Sequence, residues 1–426
     1  MRALFVSRHF PNPPEQATYG VFQRLRMFLE AAAGLCERLD VLFFAPPSFE
    51  INRKSIAAWQ DLLRVDWALD INLFLSHLDY LEQPTTGALR YYLTGTLDYC
   101  NQHPYRQAAG TKQAHALLER LQDQPDFIFL HKLSVTCACR HLRKRLPPLF
   151  IDLDDLDYLA LLRRLRQMAA WPGERLKLAQ VPALAFGTRK AIAAARKAFV
   201  CSQLDKKRLS RFCRPESISV IPNAVPLHEA VATLQGTKTI LFIGSYGYPP
   251  NADAAEFLIK QIWPRIQRHC PEAKLIIAGP EPEKIPSFQE SPQSVEFTGF
   301  VRRLDELYKT VSVLCCPIRA GSGTRLKIIE AASYGVPVVS TTLGAEGLEF
   351  RNREEIYLSD DPEEMAGLCA FLLNNVAARQ AVGSAARTAF VRHYERKAVI
   401  RRIQDELTAA LSRRGETFLT AMSGLP

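Results

Sequence analysis

The 426-residue sequence contains no run of eighteen or more apolar residues, so it lacks a segment long enough to span a bilayer as a helix. Its start, Met-Arg-Ala-Leu-Phe-Val-Ser-Arg-His-Phe, has neither the apolar core nor the small-residue cleavage site of a secretory signal, and the chain is expected to stay in the cytoplasm. Ten cysteines are present but none are in Cys-x-x-Cys spacing, which removes the usual metal-binding pattern; Cys137 and Cys139, and the adjacent Cys315 and Cys316, read as reduced thiols acting as small apolar groups. Internal repeats and low-complexity tracts are missing. So are nucleic-acid recognition motifs and interleaved aromatic platforms, which argues against a nucleic-acid partner.

What is abundant is positive charge, with a formal net charge of +10. The excess sits between Arg163 and Arg214, where Arg163, Arg164, Arg166, Arg175, Lys177, Arg189, Lys190, Arg196, Lys197, Lys206, Lys207, Arg208, Arg211 and Arg214 face only Glu174 and Asp205. A basic surface of this kind suits anionic lipid headgroups, a polyphosphate-linked acceptor or nucleic acid, and a solvated helical face is the plain alternative.

The length is too great for one ordinary α/β domain. Ala3–Ser7 is a short apolar run, followed by a Pro-rich loop at 10–14, a helical pattern from Val21 to Leu35 and a second run from Leu39 to Phe44. This is the opening of a parallel α/β sheet. Residues 50–120 show no clear period and read as helices and loops. Buried-strand candidates return at Phe127–Leu130, Leu149–Asp152, Ala198–Cys201 and Ile218–Asn223, with a helical, basic stretch from Leu156 to Lys197 between them. Past a Pro-rich junction at 222–238 the pattern restarts with strands at Thr239–Ile243, Lys274–Ala278, Val295–Thr298, Val311–Pro317 and Pro337–Ser340. Helices are expected at 252–270, 323–334 and 392–411. Two doubly wound Rossmann-like domains follow: residues 1–222, residues 223–391, and a last segment 392–426 whose helix packs back on the first domain before a fraying tail.

The strongest chemical signal is Arg319-Ala-Gly-Ser-Gly-Thr-Arg-Leu-Lys-Ile-Ile-Glu330, a small-residue loop between a strand and a helix with two cations in the first turns. Gly321 and Gly323 let backbone approach a ligand closely, Ser322 or Thr324 is placed to cap the helix, and the free N–H groups favour an anion. Arg325 and Lys327 add full charges suited to a diphosphate leaving group. Glu330 lies eight residues past Ser322, about 12 Å along a helix axis, where its carboxylate can accept two hydrogen bonds from a diol such as ribose. A plain helix cap with an ordinary salt-bridged Glu is the alternative.

Extended to Glu349, this segment resembles the retaining glycosyltransferases of family four (group 1), which have the GT-B fold of two Rossmann-like domains facing each other across a cleft. Glu330 and Gly335-Val-Pro-Val-Val339 match the second half of that family's Glu-x7-Glu signature. Cys201-Ser202 with Asp205, the stretch Ile218–Val225, Phe242-Ile-Gly-Ser245 and Phe297-Thr-Gly-Phe-Val301 extend the likeness over about residues 195–350. The Pro-Asn loop and Gly-rich segment are similar to those of a branch associated with exopolysaccharide export.

The resemblance implies a metal-independent, hexosyltransferase-like enzyme with a nucleotide-sugar donor as substrate, no separate cofactor, and a glycan or lipid-linked acceptor. It implies that Gly20, Gly244, Ser245, Gly321, Ser322, Gly323 and Thr324 line the donor, with Phe300 and Val301 at its base. It implies that His131, at a strand end, touches the donor sugar, although a lone His is more often structural. Arg325, Lys327 and Glu330 complete the catalytic set. Asp152 and Asp154 admit two readings: a metal-binding Asp-x-Asp, which a phosphate site built from cations would make redundant, or cleft-lining contacts to the acceptor, which is preferred. The sequence departs from the family at Ser322, where the first signature Glu is replaced, and at 243–251, which lacks the Arg and Lys common there. The missing signature Glu at Ser322 admits a catalytically silent nucleotide-sugar-binding partner of a polysaccharide assembly complex.

Overall fold

The computed structural model describes residues 1–10, 20–79, 88–102, 105–142, 146–167, 176–230 and 237–412. Most of the expected Pro-rich loop, residues 168–175 of the basic stretch, part of the Pro-rich junction and the tail from residue 413 lie outside these. The chain divides into two compact units: Met1–Ile221 with the residues from Ile400 onwards, and Pro222–Val399.

The first unit is built on seven parallel strands, β1 (Arg2–Ser7), β2 (Arg38–Ala45), β3 (Asn72–His77), β4 (Phe127–His131), β5 (Leu149–Asp154), β6 (Lys197–Val200) and β7 (Ile218–Val220), in the order β3-β2-β1-β4-β5-β6-β7. Strands β1, β2, β4 and β5 read as continuous apolar runs because helices cover both sheet faces. One face carries a Phe ladder in which Phe5 stacks on Phe129 at 4.8 Å, with Phe28 and Phe199 against the same ring. Strand β3 falls in the stretch 50–120 expected to hold only helices and loops. It is an edge strand whose residues are mostly half-buried, so Asn72, Ser76 and His77 interrupt the apolar pattern that marks the inner strands.

Strands β8 (Thr239–Ile243), β9 (Lys274–Ala278), β10 (Val295–Gly299), β11 (Val313–Cys316), β12 (Val338–Ser340) and β13 (Tyr357–Leu358) form the second sheet, in the order β10-β9-β8-β11-β12-β13 and again all parallel. Both sheets thus follow the doubly wound 3-2-1-4-5-6 order, and the direction of winding reverses between β1 and β4 in one and between β8 and β11 in the other. Ligands of such sheets bind outside the carboxyl ends of the strands at that reversal.

The long helix expected at 252–270 is interrupted. Pro249–Phe257 and Trp263–His269 are α-helical, and Leu258–Ile262 between them is a π turn next to Pro264, which has no N–H to donate to the ladder. The last helix runs from Arg396 to Ser412, later than expected, because the preceding helix Val376–His393 continues to a break at Tyr394 and Glu395. Its Gln404 side chain donates to the Ala31 carbonyl at 3.3 Å and its Glu406 accepts from Ser219 Oγ at 2.7 Å.

Candidate functional site

Each unit concentrates polar chemistry at the carboxyl edge of its own sheet. In the first, Ser7, His131 and Asp152 stand in register across β1, β4 and β5, directly at the reversal point. His131 is wholly buried; its Nδ1 meets Ser7 Oγ at 2.9 Å, and its Nε2 lies 4.0 Å from Asp152 Oδ2 without a hydrogen bond. The His9 ring packs edge-on at 5.4 Å, and its Nδ1 is also buried and unpartnered. Burial, His9 and Lys132 hold the His131 imidazole neutral well below its ordinary range, and burial with Lys132 brings His9 down to about 3. His131 is therefore a neutral hydrogen-bonding group with one nitrogen to offer.

The two aspartates are committed elsewhere. The guanidinium of Arg24, fully buried in the helix Gly20–Ala33, donates Nε to Asp152 Oδ2 at 2.8 Å and Nη2 to Oδ1 at 2.7 Å, and its Nη1 donates to the Ile221 carbonyl at 2.8 Å. With both oxygens held in a two-pronged pair and no exposed surface, Asp152 anchors the helix to the sheet rather than lining an acceptor path. Asp154 accepts from the Lys132 ammonium at 2.6 Å, with Arg24 at 3.6 Å. Burial opposes its ionisation, but these two cations outweigh it and hold the carboxyl far below the usual range. Lys132 and Asp154 both adopt positive φ, 77° and 52°, an uncommon conformation for residues with side chains. Asp154, Asp155 and Cys201 do bring one ligand atom each within 4.8 Å. A cation there would meet Lys132 and Arg24 at the same carboxylate, and a Cys201 thiol whose ionisation burial opposes, so this set does not fit a metal. Gly20 is the first residue of its helix and partly buried.

In the second unit the edge is lined by backbone. Gly244 N donates to Ala278 O at 3.0 Å and Gly279 N to Gly299 O at 2.7 Å, tying together the ends of β8, β9 and β10. A Cβ on Gly279, where φ is +130°, would stand 1.8 Å from the Gly244 carbonyl, so only glycine fits this crossing. A Cβ on Gly244 would lie 3.0 Å from Lys327 Nζ, which places that ammonium directly over the end of β8. Ser245 accepts from the Asn251 amide through its carbonyl at 2.9 Å, and the Asn251 side-chain oxygen accepts from Lys327 at 3.0 Å. Lys327 also lies 4.2 Å from the Phe242 ring centroid. Burial, with a contribution from Arg325, pushes Lys327 down to about 8.

The Gly-rich segment is arranged differently from the expectation. The helix begins at Leu326 with Arg325 at its N-cap and no side-chain cap; Ser322 is buried, and Thr324 accepts from Asn223 at 2.9 Å. Gly321 and Gly323 take φ of +97° and +74°, so residues 320–324 curl instead of starting the helix. The curl aims three carbonyls inward. Arg325 donates to those of Ala320 at 3.1 Å and Gly323 at 2.8 Å, and to that of Ser322, while its buried Nε has no partner. Arg325 is therefore the fastener of the loop, and Lys327 is the cation presented at the strand ends.

Glu330 follows one turn later on the same helix. Its carboxylate accepts from Tyr308 at 3.3 Å, and burial pushes it up to about 7 against the pull of Tyr308 and Lys327. Tyr308, Tyr334 and His228 stack in a column behind it, at 4.4 and 4.3 Å between rings. Phe300 is exposed and Val301 packs on the core beside Gly299, which has open space around its Cα. Gly244, Lys327, Gly321 and Arg325 are thus brought together with Asn251, which belongs to the Pro-Asn loop, and with Tyr248, which was not among the candidate residues. The Pro249-Pro-Asn251 run was the available signal, since it begins a helix directly after the β8 loop.

Residues 237–375 match the family described as Glycosyl transferases group 1. The whole chain is similar in fold to HepE of Anabaena solved with UDP and glucose, at TM-score 0.62 and 14% identity, covering 96% of this chain and 100% of that one. Sucrose-phosphate synthase of Thermosynechococcus elongatus gives TM-score 0.69 at 14% identity with coverage of 96% and 100%, and TarM of S. aureus gives 0.64 at 11% with 96% and 99%. The fold is GT-B, with two parallel-sheet Rossmann-like units. An uncharacterized 44.6 kDa protein in the cps region of Klebsiella pneumoniae is 22% identical over 175 residues. That match covers 39% of this chain and 45% of the relative, so the chain spans under half the length of the curated protein it matches.

Proposed function

We propose that the protein is a glycosyltransferase that moves a hexose from a nucleotide-diphosphate sugar to a glycan or lipid-linked acceptor, with retention and without a metal, in cell-surface polysaccharide synthesis. The observation that carries this is the second unit's edge, where a half-buried ammonium, held by Asn251, stands over the end of β8 beside a crossing of two glycine backbones. A diphosphate there meets Lys327, the Gly244 and Ser245 backbone and the start of the helix Leu326–Tyr334. Glu330, one turn on, takes the ribose diol, and Phe300 and Val301 flank the base. The family match over this unit, and relatives solved with UDP and glucose, support this reading. In it the departing phosphate oxygen takes the acceptor proton, so no strong protein base is required. His131 Nε2 is assigned to a sugar hydroxyl, and the acceptor side to the first unit.

UDP-glucose titrated calorimetrically into wild type and Lys327→Ala tests the assignment. Loss of a charge-assisted contact weakens donor binding by roughly 10- to 100-fold. The melting transition stays nearly unchanged, because removing a half-buried ammonium relieves desolvation. Equal affinity in both proteins, across a panel of nucleotide sugars, would remove Lys327 from the site. A second reading has its own observation: Ser322 stands where the family has Glu, and Arg325 is occupied by its own loop. Donor binding with no transfer to any glycan or lipid acceptor identifies a silent partner of an assembly complex.

A further inference from the structure

Among the described residues, the first unit carries five large, exposed apolar side chains on three adjoining elements. Leu93 (51% exposed), Leu97 (84%), Leu176 (59%), Leu178 (41%) and Phe186 (47%) come from three elements: the helix Ala88–Leu97, the turn Leu176–Gln180 and the helix Val181–Ala194. The three are packed on one another. Tyr92 donates to the Leu176 carbonyl, and Gln102 bridges the carbonyls of Gly95 and Gln180 at 2.7 and 3.0 Å. Leu93 and Leu97 are one helical turn apart and share a face, as do Phe186 and Lys190, whose ammonium lies 5.2 Å from the Phe186 ring centroid. Large side chains this exposed on adjoining elements mark an interaction surface rather than scattered surface residues.

The charge on these elements says what covers the patch. Lys177, Arg189 and Lys190 share the turn and helix that carry Leu176, Leu178 and Phe186, and neither those two elements nor the helix Ala88–Leu97 contains an acidic residue. The neighbouring helix Asp157–Gln167, packed on Val181–Ala194, adds Arg163 and Arg164. Its one carboxylate, Asp157, bonds the Tyr105 hydroxyl. Apolar side chains fringed by cations on one short-helix surface are the composition that sits in the interface of an anionic bilayer, the apolar groups entering the headgroup boundary and the cations meeting phosphates. We infer that this face docks the protein on a membrane rich in anionic lipid. No helix among the described residues is long and apolar enough to cross one, so attachment by this face is peripheral.

The full-length protein is sedimented with vesicles of zwitterionic phosphatidylcholine, alone or mixed with anionic phosphatidylglycerol, at low and high salt. Binding is expected only to the mixed vesicles and is weakened by salt. Leu97→Ser with Phe186→Ser lowers it about tenfold or more, and Arg189→Gln with Lys190→Gln lowers it several-fold and flattens the salt dependence. Any variant with a displaced melting transition is replaced by Leu93→Ser with Leu178→Ser. No wild-type binding to the mixed vesicles overturns the inference. Equal, salt-insensitive binding to both vesicle types also overturns it, as does undiminished binding of the serine variants with competition by heparin, which would mark a general polyanion surface. Because the readout is vesicle binding rather than turnover, a failure here leaves the sugar-transfer reading standing, and the reverse also holds.

Discussion

The carboxyl edges of the two sheets share a strand order but handle charge in opposite ways. At the first, Arg24, Asp152, Lys132 and Asp154 form a closed, buried network in which every charge already has its partner. At the second, the edge is backbone and glycine, with one ammonium and one carboxylate held half-buried near neutrality. A network of satisfied buried charges holds a helix to a sheet, and removing one member strands the other. Charges kept near their titration points by burial, with the neutral Asn251 and Tyr308 as hydrogen-bond partners, gain when an anion or a diol arrives. The same topology thus produces an edge whose charges are mutually satisfied in one unit, leaving neutral His131 as its polar group, and an edge with receptive charges in the other.

The largest effect that breaks this contrast is expected at Arg24. Arg24→Ala leaves Asp152 buried and unpaired, and a loss of about 3–5 kcal/mol in denaturant-measured stability follows. A loss under about 1 kcal/mol would show that the first edge is open to water and ligand as well.

Next in size is the glycine crossing. Gly279→Ala forces a Cβ against the Gly244 carbonyl in a left-handed backbone and is expected to cost about 2–4 kcal/mol, whereas Gly299→Ala, at φ +64° with open space, costs about 1–2 kcal/mol. Equal melting temperatures for the two variants would deny that the strand ends are held in contact.

The smallest is a pH dependence that belongs to the second edge alone. Below about pH 7 Glu330 takes up a proton and stops accepting two hydrogen bonds, and above about pH 8 Lys327 loses its charge. Affinity for UDP-glucose, whose diphosphate does not titrate in this range, should be greatest between those values and fall by up to about tenfold per pH unit on either side. Glu330→Gln removes the acidic limb and leaves the basic one; a profile unchanged by that substitution would take the carboxylate out of the site.

Much of this was legible in the residues. Apolar runs such as Ala3–Ser7 and Thr239–Ile243 mark inner parallel strands because both faces are covered, and Gly-x-Gly between a strand and a helix marks a turn where backbone is exposed. The Arg24–Asp152 pair was not legible, since its members are 128 positions apart and only the packed sheet brings them together. The contacts of Arg325 were not legible for a related reason. Its spacing suits a phosphate, but the curl at Gly321 and Gly323 offers it three carbonyls first. Gly279 went unnoticed because a single glycine at a strand end says nothing of the carbonyl it must pass.

The claim that the donor nucleotide sits on the second sheet's edge is tested most directly by amide hydrogen exchange with and without saturating UDP-glucose. Slower exchange is expected at residues 243–246, at Gly279 and at 321–328, with no change in the Arg24 helix. Protection confined to the first unit, or none at 321–328 under conditions where calorimetry shows binding, would contradict the account.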